Sequence, residues 1–484
     1  MVPLQIGGRT EGSFDRAVDF RCLKEKRRVG IVIILHSYTY LDVPHDIQYL
    51  GRYPVDERTE AFFLHEYIHN LQDLTTPSGY ARIETIVDQM KWAVSEMGKR
   101  KNVRIPLKPD STWAYNMKPN AVSLRIAKGE MKKKTELGTD VVYNSPKELK
   151  LKDELVPSTN GRYIRRKATT TFVFEDDKHN EYEYRIGEMA ISESMAYIME
   201  KHIYPDALED GADFPYNVVR NVVRWKCPRA EDDVILTAIC DVCLMYSFPG
   251  IAFFLLINFL ENYDGDITPE FIYVYGLGPE ICEKLGVETW MEQFDKTNDL
   301  AIKQLRDYFN HPYWQNTQFV LTASMVNAYA YRKNKPSFML DIIKGGQISH
   351  NYAFQDALSN MGCMAILTAN DQLFYFSPRT ATKVVVDPDW FVVLYQVYKI
   401  LFTEEAIDEQ GGNRVVCWRC CLKAWCQWSS NKKNLPDITS SSYNCIQTPW
   451  LNTTDELMAQ CAFGRLWGAY NLKRVKLKPD YKKD

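Results

Sequence analysis

An α+β architecture, with a small sheet packed on a few helices and a mainly helical remainder, is predicted by three observations. Residues 28–35, Arg28-Val29-Gly30-Ile31-Val32-Ile33-Ile34-Leu35, form a β-branched run that reads as a buried strand. Helical periodicity follows from residue 56, without Gly or Pro until Pro77. Beyond residue 205 most of the chain reads helical, most clearly over 253–260, 290–308, 322–331 and 390–401, and no repeat of fixed period occurs.

In chain order, residues 38–43 extend or follow the first strand. The first helix covers 56–73, with Asp56 as N-cap and acidic residues in its first turn. Ala61, Leu64, Ile68 and Leu71 recur at helical spacing, so that stripe faces a core. A second helix is expected over 81–97. From 99 to 167 the composition turns basic, with Lys132-Lys133-Lys134 at its middle and Arg165-Arg166-Lys167 at its end. Prolines 106, 109, 119, 146 and 157 break any long helix, so the segment reads as a solvated, loop-rich insertion. Residues 169–174 and 181–186 then form a hairpin around Asp176-Asp177-Lys178-His179-Asn180, delivering the chain to a helix over 188–200. The long apolar stretch 234–260 could span a bilayer by length, but Asp241, Ser247, Pro249 and Gly250 divide it into two buried helices. With 484 residues, two or three domains are expected. The divisions are 1–98 (sheet and first helices), 99–167 (basic insertion), 168–340 (hairpin and helical core) and 341–484 (a Cys- and Trp-rich helical region).

The chemistry lies in the first helix. His65-Glu66-Tyr67-Ile68-His69 places two imidazoles at i and i+4 on one helix face, where both can bind one Zn²⁺. Glu66 can then reach water activated by that ion and act as general base. With 8 His in the chain, an accidental H-E-x-x-H match is expected only about one time in a hundred. A catalytic zinc usually has a third protein ligand. Glu193 is the chosen one: it shares a face with Ala190, Ala196 and Tyr197, and a carboxylate among small apolar neighbours is costly to bury unless paired or metal-bound. Glu188 and Glu200 flank it as alternatives. An added Tyr or His could stabilise an oxyanion, from the neighbourhoods of His311 or His350, with no spacing to choose between them.

His65-Glu66-x-x-His69 with the later Ile191-Ser192-Glu193-Ser194-Met195-Ala196 helix resembles the zincin metallopeptidases, and within them the gluzincin type, whose third ligand is a Glu on a following helix. The resemblance is carried by these two helices, well under half the chain. It implies a zincin-like core, Zn²⁺ on His65, His69 and Glu193, and Glu66 as general base of a peptidase acting on a protein or peptide substrate. Zincins commonly receive extended substrate along an edge strand of the sheet. The gap of 124 positions (193 − 69) is longer than in many gluzincins. The third His of the metzincins is absent, because no His follows His69 until His179.

Composition restricts the alternatives. A net charge of −3 gives no global signal for nucleic acid or membrane. The first residues show no secretory signal, so the 12 Cys are expected as reduced thiols in a cytoplasmic chain. Cys417, Cys420, Cys426 and Cys445 could form a second, structural zinc site, but Cys417, Cys420 and Cys421 beside Trp418, Leu422 and Trp425 read better as a buried helix face. Cys240 and Cys243 read as core. Two rival readings remain: a regulatory scaffold without turnover, occupied by a partner, and a nucleic-acid-associated factor using the basic insertion, which is not favoured.

Overall fold

The structure, a computed structural model, describes residues 39–41, 57–105, 107, 143–157, 164–207, 210–368, 373–384, 401, 462–472 and 475–479. Among these it is mainly helical with small sheets, an α+β fold of thirteen α-helices and eight strands. The expected strand 28–35, Asp56, the helix 390–401 apart from Leu401, and the cysteines 417–445 lie outside the described residues.

The first helix, α1 (Glu57–Thr75), carries Glu57 and Glu60 in its first turn, where negative charge complements the positive end of the helix dipole. Its predicted stripe is buried: Ala61, Leu64, Ile68 and Leu71 are all fully enclosed. Each large member of such a stripe contributes about 1.5–3 kcal/mol by leaving water. Helix α2 (Pro77–Gly98) starts at once. Thr76 caps it by accepting a hydrogen bond from the Gly79 N–H at 3.0 Å, and Pro77 occupies the first turn, where its missing N–H costs nothing. Gly79 permits the sharp reversal: a Cβ there would sit 2.5 Å from the Asp73 Cα. A third helix, α3 (Glu188–Ile203), packs on α1, and so does α10 (Gln315–Asn334).

Three small sheets surround these helices. In the first, β1 (Thr39–Leu41) runs parallel to β6 (Cys363–Thr368), which pairs antiparallel with β7 (Leu373–Phe376). In the second, β2 (Asn102–Ile105) pairs parallel with β8 (Lys476–Pro479). The third is an antiparallel meander of β3 (Tyr143–Pro157), β4 (Ile164–Asp176) and β5 (Glu181–Ile186). The β4–β5 hairpin turns at the predicted residues: the Asp176 carboxylate accepts from the N–H groups of Lys178 and Asn180. Gly187 then caps α3.

The described residues of the basic segment, 99–105, 107, 143–157 and 164–167, are largely strand. They contain β2, all of β3 and the start of β4. Its Glu148-Leu149-Lys150-Leu151-Lys152 stretch alternates as a strand should, and charged residues on one face pair across the sheet, as Lys152 does with Glu183.

The remaining helices are α4 (Val218–Lys226), α5 (Asp233–Leu244), α6 (Pro249–Glu261), α7 (Pro269–Gly276), α8 (Pro279–Leu285), α9 (Trp290–Tyr308), α11 (Phe338–Lys344), α12 (Tyr352–Met361) and α13 (Ala462–Ala469). The stretch 234–260 is two helices, α5 and α6, as its Ser, Pro and Gly residues predict. No helix among the described residues is long and apolar enough to cross a membrane. A single cluster of buried side chains joins α1, α2 and α3 to the later helices and reaches Leu477 in β8.

Candidate metal centre

His65 and His69 project from the middle of α1, beside its apolar stripe, and both are buried. Glu193 projects from the second turn of α3 toward them. The His65 and His69 Nε2 atoms are 3.2 Å apart, and each is 3.5 Å from Glu193 Oε2. Among the described residues this is the group of His, Cys, Asp and Glu that could hold a metal ion.

The ring orientations follow from what holds the far side of each imidazole. His65 Nδ1 lies 2.6 Å from Glu200 Oε2. A carboxylate oxygen accepts, so Nδ1 carries the proton and donates it. His69 Nδ1 lies 2.9 Å from Gln72 Oε1, while Gln72 Nε2 donates to the Ser192 carbonyl at 3.1 Å. That second bond fixes the amide with its oxygen toward His69, so Nδ1–H is again the donor. In neutral imidazoles both Nε2 atoms are then left as bare acceptors facing each other and a carboxylate oxygen.

Three acceptors this close repel unless a cation or a proton lies between them. A tetrahedral zinc with ligand distances of about 2.0–2.1 Å requires ligand–ligand separations of about 3.3–3.4 Å. Separations of 3.2, 3.5 and 3.5 Å fit that requirement. The donor set therefore fits a borderline-soft divalent ion. Glu193 is 15% exposed, against 4% for each His side chain, so the cluster opens on the Glu193 side.

Electrostatics agree with the geometry. Burial lowers the His65 pKa, but the charge of Glu200 and the hydrogen bonds and charge of Glu193 and Glu200 raise it further, to about 10. Glu193, despite burial, is held well below the ordinary carboxylate range by His69 and His65. Without a metal, a proton on His65 supplies the missing positive charge. Glu193 and Glu200 lie against the His65 ring, while Asp73 and Glu188 beside them pair with one guanidinium, that of Arg82. A buried excess of negative charge is expensive unless a cation compensates it.

Of the flanking carboxylates, neither joins the ligand cluster. Glu200 accepts from His65, and Glu188 accepts from Arg82 Nη1 at 2.7 Å. Glu66 is half-buried between His65 and Tyr67, both of which are buried. His311 lies edge-on to Trp314, and the His350 N–H closes a turn on the Gln347 carbonyl. The aromatic ring that packs on the site is Tyr216, its centroid 6.2 Å from that of His65 and 5.4 Å from that of Tyr197. Tyr216 is carried by a short turn, residues 213–217, anchored on α3: Ser194 Oγ donates to the Pro215 carbonyl and the Gly211 N–H donates to Tyr197 Oη. Gln72 and Glu200 were findable as site residues, because each sits on the face of a ligand helix, at i+3 from His69 and i+7 from Glu193. Nothing local in the sequence marks Tyr216.

No protein-family model, curated protein or solved structure matches this chain.

Proposed function

We propose that the chain is a zinc-dependent peptidase of the gluzincin kind, acting on a protein or peptide substrate. The observation that carries this reading is the convergence of two imidazole Nε2 atoms and one carboxylate oxygen at tetrahedral spacing, with Glu66 in the same helical turn as the ligands. His65, His69 and Glu193 would hold the ion. When bound, it supplies Lewis acidity, which makes water nucleophilic near neutral pH and polarises a carbonyl. Glu66 removes the proton from the attacking water and returns it to the leaving amine. Glu200 and Gln72 keep both imidazoles in the tautomer that offers Nε2. The role of donating to an oxyanion, which the sequence left open between other residues, is assigned in this proposal to Tyr216, whose ring packs on His65.

Cells expressing the wild type and Glu66→Gln provide the test. Purified Glu66→Gln should hold as much zinc as the wild type, while new protein termini appear only with the wild type. Cleavage should fall by about 10²- to 10⁴-fold, the usual contribution of a general base. Undiminished cleavage by Glu66→Gln would remove it as base. Zinc binding by the wild type with no cleavage of any protein would instead favour a scaffold that binds a partner without turnover.

A further inference from the structure

The two ligand helices meet along an antiparallel seam of polar contacts. Reading down α1, His65 meets Glu200, His69 meets Glu193 and Gln72 meets the Ser192 carbonyl. The partners on α3 run backwards, from 200 to 192. One step further, the seam brings Asp73 of α1 and Glu188 of α3 to the same guanidinium. Both are buried carboxylates. Arg82, from the second turn of α2, lies between them: Nη2 pairs with Asp73 and Nη1 donates to Glu188 Oε1 at 2.7 Å. Arg82 is itself buried.

We propose that Arg82 is a positioning residue for the metal ligands, a clamp that sets the spacing of α1 and α3 at the end of the seam next to His69 and Glu193. This rests on the metal-site reading above. Asp73 follows His69 by one helical turn, and Glu188 precedes Glu193 by little more than one. Without the guanidinium two buried carboxylates share one place in a low-dielectric interior, and their repulsion opens the helix pair there. A wider seam moves Glu193 away from the imidazoles. The local sequence builds the clamp: Gly79 lets α2 turn back tightly against the end of α1, where any Cβ would collide with Asp73, and Arg82 comes three residues later. Lysine is a poorer replacement, because its ammonium is a compact point charge without the rigid fork that spans two separate carboxylates.

The test is zinc affinity, measured by competition with a chromophoric chelator, together with the absorption spectrum of the Co²⁺-loaded protein, which reports ligand geometry without turnover. Arg82→Met should weaken zinc binding at least about tenfold, as loss of groups supporting metal ligands does, and should alter the cobalt bands. Adding Asp73→Asn and Glu188→Gln removes the repulsion and should restore most of the affinity; a merely structural defect would not be rescued in this way. Arg82→Gln, which also removes the charge but keeps a polar side chain, reads the same effect if Arg82→Met fails to fold. Zinc affinity and cobalt spectra equal to the wild type in the folded Arg82 variants would overturn the clamp while leaving the metal site standing. A wild type that binds no zinc would overturn the site and the clamp together.

Discussion

Two buried charge clusters lie along α1, and they are built on opposite principles. At the end of the helix, Arg332 from α10 and Asp241 from α5 form a fully buried bidentate pair. Arg332 spends its donors completely: Nη1 and Nη2 go to Asp241 at 2.7 Å each, Nη1 also to the Pro336 carbonyl, Nε to the Thr75 carbonyl and Nη2 to Thr75 Oγ1. Helix α1 has no basic residue in its last turn, so Arg332 supplies the positive charge that its C-terminal carbonyls favour. One cation meets one anion, and every guanidinium N–H is bonded. Two turns earlier, at the histidines, Glu193 and Glu200 meet imidazoles rather than a permanent cation, and two Nε2 atoms face each other. A balanced cluster holds helices together. An unbalanced one, open at Glu193, calls for added positive charge, from a bound cation or from a proton on His65.

The contrast can be broken first at the balanced end. Asp241→Asn leaves the Arg332 guanidinium buried without a counter-charge, and such losses typically cost about 3–5 kcal/mol. The urea midpoint should fall sharply, with or without zinc. Replacing both partners with apolar side chains, Asp241→Leu with Arg332→Met, should cost far less, because no charge is left stranded. A single variant no less stable than the double would show that the pair is not the closed unit described.

At the unbalanced end the metal itself should stabilise. Zinc at about a thousand times its dissociation constant should add about 4 kcal/mol to the wild type, seen as a rise in thermal midpoint. His65→Ala and Glu193→Gln should lose that rise, whereas Asp241→Asn, although less stable, should keep it. An equal rise in His65→Ala would place the ion elsewhere.

A smaller effect belongs to the groups behind the ligands. Glu200→Leu and Gln72→Leu leave all three ligands in place but release one imidazole each. Zinc affinity should drop about 10- to 100-fold in either variant, measured by chelator competition. Unchanged affinity would mean that the α1–α3 contact orients the rings without these side chains.

What the sequence revealed and what it hid divide by distance along the chain. His65 and His69 were legible because four residues make one helical turn, and Glu193 because a carboxylate on a small-residue face is conspicuous within a single helix. The roles of Glu188 and Glu200 were not, since ligand and support differ only in which neighbouring helix they meet. Asp73 and Arg82 look like ordinary polar helix residues until the tight turn at Gly79 folds α2 back on α1. The pairing of β1 with β6 joins Thr39 to Ile366, and no local pattern specifies a partner so far away. Strand β3 was missed because prolines and charges obscure its alternation, which becomes regular only opposite β4.

The mildest prediction concerns protons in the metal-free chain. His65 has its pKa raised from an ordinary value of about 6.5 to about 10, with Glu200 the largest contributor opposing the effect of burial. A basic group with a raised pKa binds its proton more tightly when folded, so its stabilising contribution is complete below about pH 6.5 and fades as pH climbs through about 10. Metal-free protein should therefore lose stability between those limits, and Glu200→Gln should flatten the loss. Zinc requires the His65 Nε2 lone pair, which the proton occupies, so its binding releases a proton and its apparent affinity should rise with pH across the same window. Chemical denaturation of chelator-treated protein at several pH values, beside zinc titrations at each, separates the two. A flat profile in the metal-free chain would mean that some other group neutralises Glu193 and Glu200, and the distinction between the two clusters would have to be drawn again.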